Sequence, residues 1–167
     1  MATPKIVLTA DRTLMSPYRG ISLATFFGCA PAIDPNRDKN SFWYKILKNQ
    51  VTPKVLFEFI CKWSPDINGV AKYAPYGLRK VEAGLLRDGY ARKDVVIAHP
   101  NHIEKFIGPE TEVVGTYEMD PLGMGPVTMT FTFGRKQTSY DEFYNAELHH
   151  RINAAKKKNG SHAKVIA

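Results

Sequence analysis

Histidines, cysteines, an Asp-Pro turn and a double-glycine turn are the places where this 167-residue chain could carry chemistry. Metal ligation is the first candidate. His149 and His150 are adjacent, so on a helix they point in different directions, and no Asp or Glu supplies a convincing third ligand for them, for His102 or for His162. These four read as surface or capping groups. His99 stands apart because it closes a strand-like run, Asp94-Val95-Val96-Ile97-Ala98, at the end where ligands of open sheets bind. Its structural role would be to end that strand before Pro100. Cys29 and Cys61 are too few for a four-cysteine zinc or iron–sulfur site, and Cys29, within Phe-Phe-Gly-Cys-Ala-Pro, reads as an inert apolar thiol. Asp120 before Pro121 is a turn former. Leu122-Gly123-Met124-Gly125-Pro126 could cradle a phosphate at a helix start, but there is no Gly-x-Gly-x-x-Gly after the first strand and no Walker loop. No nucleophile–base or carboxylate pair is legible, which leaves a stand-alone enzyme without support.

The elements that must position these residues alternate in kind. Lys5–Thr9, Asp94–Ala98, Glu112–Tyr117 and Ala163–Ala167 are short apolar or β-branched runs and predict strands. Phe42–Leu47 and Val55–Ile60 predict short helices, the second after a Pro53 suited to a first turn. Leu78, Val81, Leu85 and Leu86 predict one face of a helix, with Arg79, Lys80, Glu82 and Arg87 on the other and Gly89 as its stop. His102–Ile107 predicts a short helix capped by Asn101, and another helix begins after Pro126. Tyr140–Lys158 predicts the longest one, with Phe143, Ala146, Leu148, Ile152 and Ala155 as its stripe and Asn159-Gly160 as its end.

Strands alternating with helices give an α/β class: an open parallel sheet of flavodoxin-like or Rossmann-like type, in a single domain over residues 1–167. Ligands of such sheets sit beyond the carboxyl ends of the strands, which singles out the loops Ala10–Ser16, His99–His102 and Glu118–Gly125. The sequence stops on a strand, with no loop and helix to cover the adjoining face, which reads either as the N-terminal part of something larger or as an edge strand at a natural terminus.

Composition removes several classes of function. With 44% hydrophobic residues the chain can bury a core without disulfides. Its apolar runs are far shorter than the roughly 20 residues a bilayer needs, and the start lacks a secretory signal, so no membrane is expected and the cytoplasm is the default. The net charge of +7 invites a nucleic-acid reading, but the one basic run, Lys156-Lys157-Lys158, falls at a helix end where cations favour the dipole. No nucleic-acid partner is expected.

Three stretches carry a resemblance: KIVLTADRTLMSPYRG, then YAPYGLRKVEAGLLRDGY with DVVIAHPNHIEKFIG, and VVGTYEMDPLGMGPVTMTF. Together they resemble the N-terminal cobalamin-binding-type domain of archaeal cobalamin-dependent radical S-adenosylmethionine proteins, including those that methylate an unactivated carbon in methyl-coenzyme M reductase. The similarity spans nearly the whole chain outside residues 32–70. It implies a methyltransferase module that binds cobalamin, with S-adenosylmethionine and a [4Fe-4S] cluster on a radical domain in the same or a companion chain, and a protein as substrate. The three-cysteine motif of that domain is absent here. The implied cofactor contacts are Thr9, Asp11, Leu14, Met15 and Ser16 after the first strand, His99 after the second, and Thr116, Met119, Asp120, Leu122, Gly123, Met124, Gly125 and Thr128 around the third. Thr9, Ser16, Thr116 and Thr128 would donate to amides or phosphate, and Leu14, Met15, Leu122 and Met124 would pack against the ring.

Asp11-Arg12-Thr13 departs from the Asp-x-His-x-x-Gly of better-known cobalamin folds, so no protein ligand to cobalt is expected. The alternative is a flavodoxin-like scaffold or interaction domain that binds no cofactor.

Overall fold

The computed structural model describes residues 3–32 and 51–167, with positions 42 and 46; the expected helix at Phe42–Leu47 otherwise lies outside the described residues. In chain order the elements are β1 (Ile6–Ala10), 3-10 segments at Tyr18–Gly20 and Ser22–Cys29, β2 (Pro31–Ala32), α1 (Lys54–Ile60), β3 (Asp66–Ile67), β4 (Val70–Ala71) and α2 (Tyr76–Arg87). There follow β5 (Val95–Ile97), a 3-10 segment at Pro100–Lys105, β6 (Val113–Tyr117), α3 (Pro126–Phe131), β7 (Thr138–Ser139), α4 (Tyr140–Asn159) and β8 (Lys164–Ile166).

Four of the strands form one parallel sheet in the order β5-β1-β6-β8. This is the flavodoxin-like open α/β sheet that the alternation of elements predicts. β1, buried at all five positions, sits inside it. Because side chains alternate across a strand, each sheet face carries its own core. Ile6, Leu8, Ala10, Val95 and Ile97 pack with Met15, Ala71 and Leu78 on one side. Val7 and Val114 pack with Leu148, Ile152 and Ala155 of α4 and with Ile103 and Ile107 on the other.

The third core lies at the carboxyl ends of the strands. α4 leads into the amino end of β8, so its first turns stand at the opposite edge of the sheet. There Tyr140 and Tyr144 join Phe57 of α1, Tyr18, Ala24, Ala32 and Cys61. Phe57 is fully buried and stacks on Tyr140, with ring centroids 3.7 Å apart. The short β2–β7 pair closes this cap.

The long helix starts where Ser139 Oγ accepts from the Glu142 amide at 3.1 Å, with Asp141 and Glu142 in the favourable first turn. It ends as expected, on three lysines and a left-handed Gly160.

Several expectations change. Glu82, expected outside, is buried between Arg79 (3.0 Å) and Arg92 (2.8 Å), while Val81 is 50% exposed. Two guanidinium partners make that burial tolerable. The 3-10 segment at Pro100–Lys105 is capped by His99, not Asn101: His99 Nδ1 accepts from the Asn101 amide at 3.1 Å. In α4 the inward face carries Tyr144 and Asn145 where Ala146 was expected, and Ala146 is exposed. The β3–β4 hairpin was not expected; its Asn68-Gly69 turn adopts the positive φ values such a turn requires. Among the described residues no helix is long and apolar enough to cross a membrane.

Candidate functional site

In the order β5-β1-β6-β8 the chain leaves β1 towards one edge of the sheet and β6 towards the other, so the switch-point crevice lies between the carboxyl ends of these two strands. The loops after Ala10 and Tyr117 flank it, and the first turn of α4 and the Ser22–Cys29 segment pack above it.

The floor of the crevice is polar and closed. Asp11 Oδ1 accepts from both the amide and the hydroxyl of Thr13, each at 2.6 Å. Burial pushes the Asp11 carboxyl up to about 7 against those hydrogen bonds, and the charge of Asp141 adds to the rise. Asp141 is raised too, chiefly by burial, opposed by hydrogen bonds from Thr13 and Cys29 and reinforced by the charge of Asp120. The Cys29 thiol donates to Asp141 Oδ2 at 3.6 Å, and burial raises its pKa as well. A Cβ at position 28 would overlap the Asp141 carboxylate, lying 2.9 Å from its Cγ, so this close approach requires glycine. Three carboxyl groups and a thiol thus share one corner. Among the described residues no group of three or more His, Cys, Asp or Glu side chains could hold a metal ion.

The implied contact residues fall into two sets. Those of the first are committed to the fold. Thr9 Oγ1 donates to Ala98 O at 3.0 Å, Ser16 Oγ to Lys62 O at 2.7 Å, and Thr116 Oγ1 to Glu118 Oε1 at 2.7 Å. Met15 and Thr128 are almost wholly buried, and Leu14 packs against the core on the α2 side of the sheet. His99 is buried beside Trp63, at 5.3 Å between ring centroids, and burial lowers its pKa. Asp120 holds the turn that follows it, accepting from the amides of Met124 (2.8 Å) and Gly125 (3.0 Å), while Gly123 takes a left-handed φ of 62°. The second set is Met119, Leu122 and Met124, each about 60% exposed on that same loop, with the half-exposed Tyr117 at its root.

Sequence reasoning missed three features of this edge. Asp141 belongs to the Ser-x-x-Glu signature Ser139–Glu142, a capping box that marks where α4 begins and so which acid reaches the crevice. His149 Nε2 lies 2.6 Å from Glu118 Oε1. Burial acts to raise the Glu118 carboxyl, but hydrogen bonds from Thr116, His149 and Asn145 outweigh it and hold the group below its ordinary range. Arg12 is buried with its guanidinium 4.1 Å from the Trp63 ring centroid and 3.1 Å from Cys61 O. Nothing in local sequence announces the last two, because their partners are 31 and 49 residues away or more.

The arrangement can be tested against a corrin. A macrocycle with large apolar faces fits the methionine and leucine side chains, which are adaptable and unspent. The glycines at 123 and 125 serve the protein's own carboxylates: a Cβ there would stand 2.8 Å from Glu142 Oε2 and 2.9 Å from Asp120 Oδ2. His99 is buried beside Trp63 with Nδ1 engaged and Nε2 without a partner, and Asp11 is turned into the floor. What this edge offers a large apolar ring is the set of exposed side chains Met119, Leu122 and Met124. No protein-family model, curated protein or solved structure matches the chain.

Proposed function

We propose that this chain is a corrinoid-binding module that presents a methyl-carrying cobalamin to a radical S-adenosylmethionine domain, for methylation of an unactivated carbon in a protein such as methyl-coenzyme M reductase. The observation that carries the reading is the set of exposed side chains Met119, Leu122 and Met124 on one loop beside the switch point of a flavodoxin-like sheet. Apolar side chains gathered at the position where open sheets bind ligands call for an apolar occupant.

In this reading a bound corrinoid supplies the methyl group, and the iron–sulfur chemistry belongs to the radical domain. The chain's own residues bind and shield. Met119, Leu122 and Met124 contact the ring, Asp120 keeps their turn in shape, and the Asp11–Thr13–Asp141 corner closes the crevice below and excludes water. The test is a titration of the purified chain with hydroxocobalamin, read by ultraviolet–visible absorption after desalting. Retention of about one equivalent is expected, with loss on Leu122→Asp or Met124→Glu. Passage of the corrin bands away from the wild-type chain would refute the reading.

A second reading, a cofactor-free scaffold, has its own support in the hydroxyls of Thr9, Ser16 and Thr116, all spent inside the fold. There the exposed loop would dock the radical domain itself. Leu122→Asp would then break co-purification with that domain, while the wild-type chain retained no corrinoid.

A further inference from the structure

Side chains alternate across a strand, and the two sides of β6 differ in cover. On the α4 side Val114 belongs to the core and Thr116 is buried. The alternate positions face the α2 side, since a Cβ on Gly115 would stand 2.9 Å from Leu8 Cδ2 in the other core. There Val113 and Gly115 are half-buried and Tyr117 is 42% exposed. Pairing of Val113 with Lys164 and of Gly115 with Ile166 puts both β8 residues on the same side, and both are exposed, Ile166 by 55%. α2 lies over β5 and β1, beside this open surface. Parallel sheets are ordinarily covered on both faces, so two such strands call for a cover.

We propose that the cover is α2 of a second copy of this chain, in a two-fold dimer where each α2 lies over β6 and β8 of the other copy.

Shape supports a self-complementary contact. A helix is about 10 Å across with its side chains, and two strands about 4.8 Å apart make a floor of roughly that width. α2 is thus a ridge beside a trough of its own size. A two-fold axis parallel to the strands sets each ridge into the other trough, which is the reciprocal contact an isologous interface requires.

The flank of α2 that borders the trough suits close approach. Gly77 marks that flank, because a Cβ there would stand 2.8 Å from the Tyr117 ring. Val81 and Gly84 follow on the same side at helical spacing. Val81 is 50% exposed, and nothing among the described residues lies within 4 Å of a Cβ at Gly84. Glycine weakens a helix interior, and here no neighbour within the chain requires it. Across the axis the two helices run parallel, so Gly84 meets its own copy. On the crest, Tyr76 is 75% exposed with Lys80 Nζ 4.8 Å over its ring. A lysine stem covers apolar floor while its head stays in water.

Charge fits the same pairing. Asp88, directly after α2 and 67% exposed, continues the flank of Gly77, Val81 and Gly84. α2 leads into the amino end of β5, so Asp88 lies at the same end of the sheet as Lys164, the first residue of β8. An axis parallel to the strands preserves that level and brings Asp88 of each copy over Lys164 of the other.

The experiment is sedimentation velocity on the full chain over a concentration series. A concentration-dependent dimer is expected. Val81→Arg and, independently, Ile166→Asp should weaken it at least tenfold; both side chains are exposed, and circular dichroism checks folding. Asp88→Lys and Lys164→Glu should each weaken the dimer and together restore it. Gly84→Cys should form a disulfide-linked dimer on mild oxidation, whereas Asn153→Cys, exposed on α4, should not; the native Cys29 and Cys61 are buried. A wild type that stays monomeric at every concentration would overturn the inference and leave the trough to another protein. A dimer unchanged by Val81→Arg and Ile166→Asp, or charge changes that fail to rescue each other, would overturn it as well. None of these positions belongs to the Met119–Met124 loop, so either result leaves the corrinoid reading to its own test.

Discussion

Replacing Asp11 by Asn should remove a fall in stability between pH 4 and pH 7. Burial lifts the Asp11 carboxyl to about 7, against 3.8 in an unfolded chain. Between those values the unfolded state releases a proton that the folded state retains, so ionisation favours unfolding as pH rises. At about 1.4 kcal/mol per pH unit, the gap is worth about 4 kcal/mol, fully lost once pH passes the folded value. Asparagine is close to isosteric, and its Oδ1 can still accept both Thr13 donors seen at 2.6 Å. Asp141 should keep its own rise, which comes from burial and from the charge of Asp120. Urea unfolding followed by circular dichroism at pH 4.5, 5.5, 6.5 and 7.5 measures this directly. The advantage of Asp11→Asn over wild type should grow by about 3 kcal/mol across the series and level off above pH 7. Parallel curves for the two proteins would refute the account of the crevice floor as a buried, proton-holding corner.

Two further outcomes follow from the same edge of the sheet. Gly28→Ala should cost about 1–3 kcal/mol by overpacking against Asp141, and clearly less in an Asp141→Ser background; equal costs in a double-mutant cycle would dissociate the glycine from the carboxylate. His149→Phe should raise the Glu118 carboxyl towards its ordinary range, measured by carbon-detected NMR titration. Because the folded Glu118 is held below that range, its contribution to stability is present at neutral pH and lost as pH falls; an unchanged titration would refute the pairing.

Much of the scaffold was legible in the sequence for a local reason. The runs at Ile6–Ala10, Val95–Ile97 and Val113–Tyr117 become strands because apolar, β-branched side chains can be buried on both faces of a parallel sheet. α4 ends where three lysines meet a left-handed glycine. The loop carrying Met119, Leu122 and Met124 was also identifiable, since it follows a strand and contains turn formers. The misreadings were contests between local pattern and distant partners. Glu82 looked like a solvent residue until Arg92, from beyond the end of α2, joined Arg79 around it. His99, read as ending its strand before Pro100, does stand there and also caps the next turn beside Trp63, a role first read for Asn101.

The sequence by itself determined the class of fold, the edge of the sheet where a ligand would sit, and the absence of a histidine after β1. These depend on side-chain type and on spacing within a few residues. Only the tertiary structure decided which implied contacts are spent in the core, that Asp11, Asp141, Asp120 and Cys29 share one corner, and that β6 and β8 are buried on their α4 side and open on the other. Those facts depend on contacts between segments far apart in the chain, 132 residues between Arg12 and Tyr144, and chain folding rather than local propensity brings such residues together.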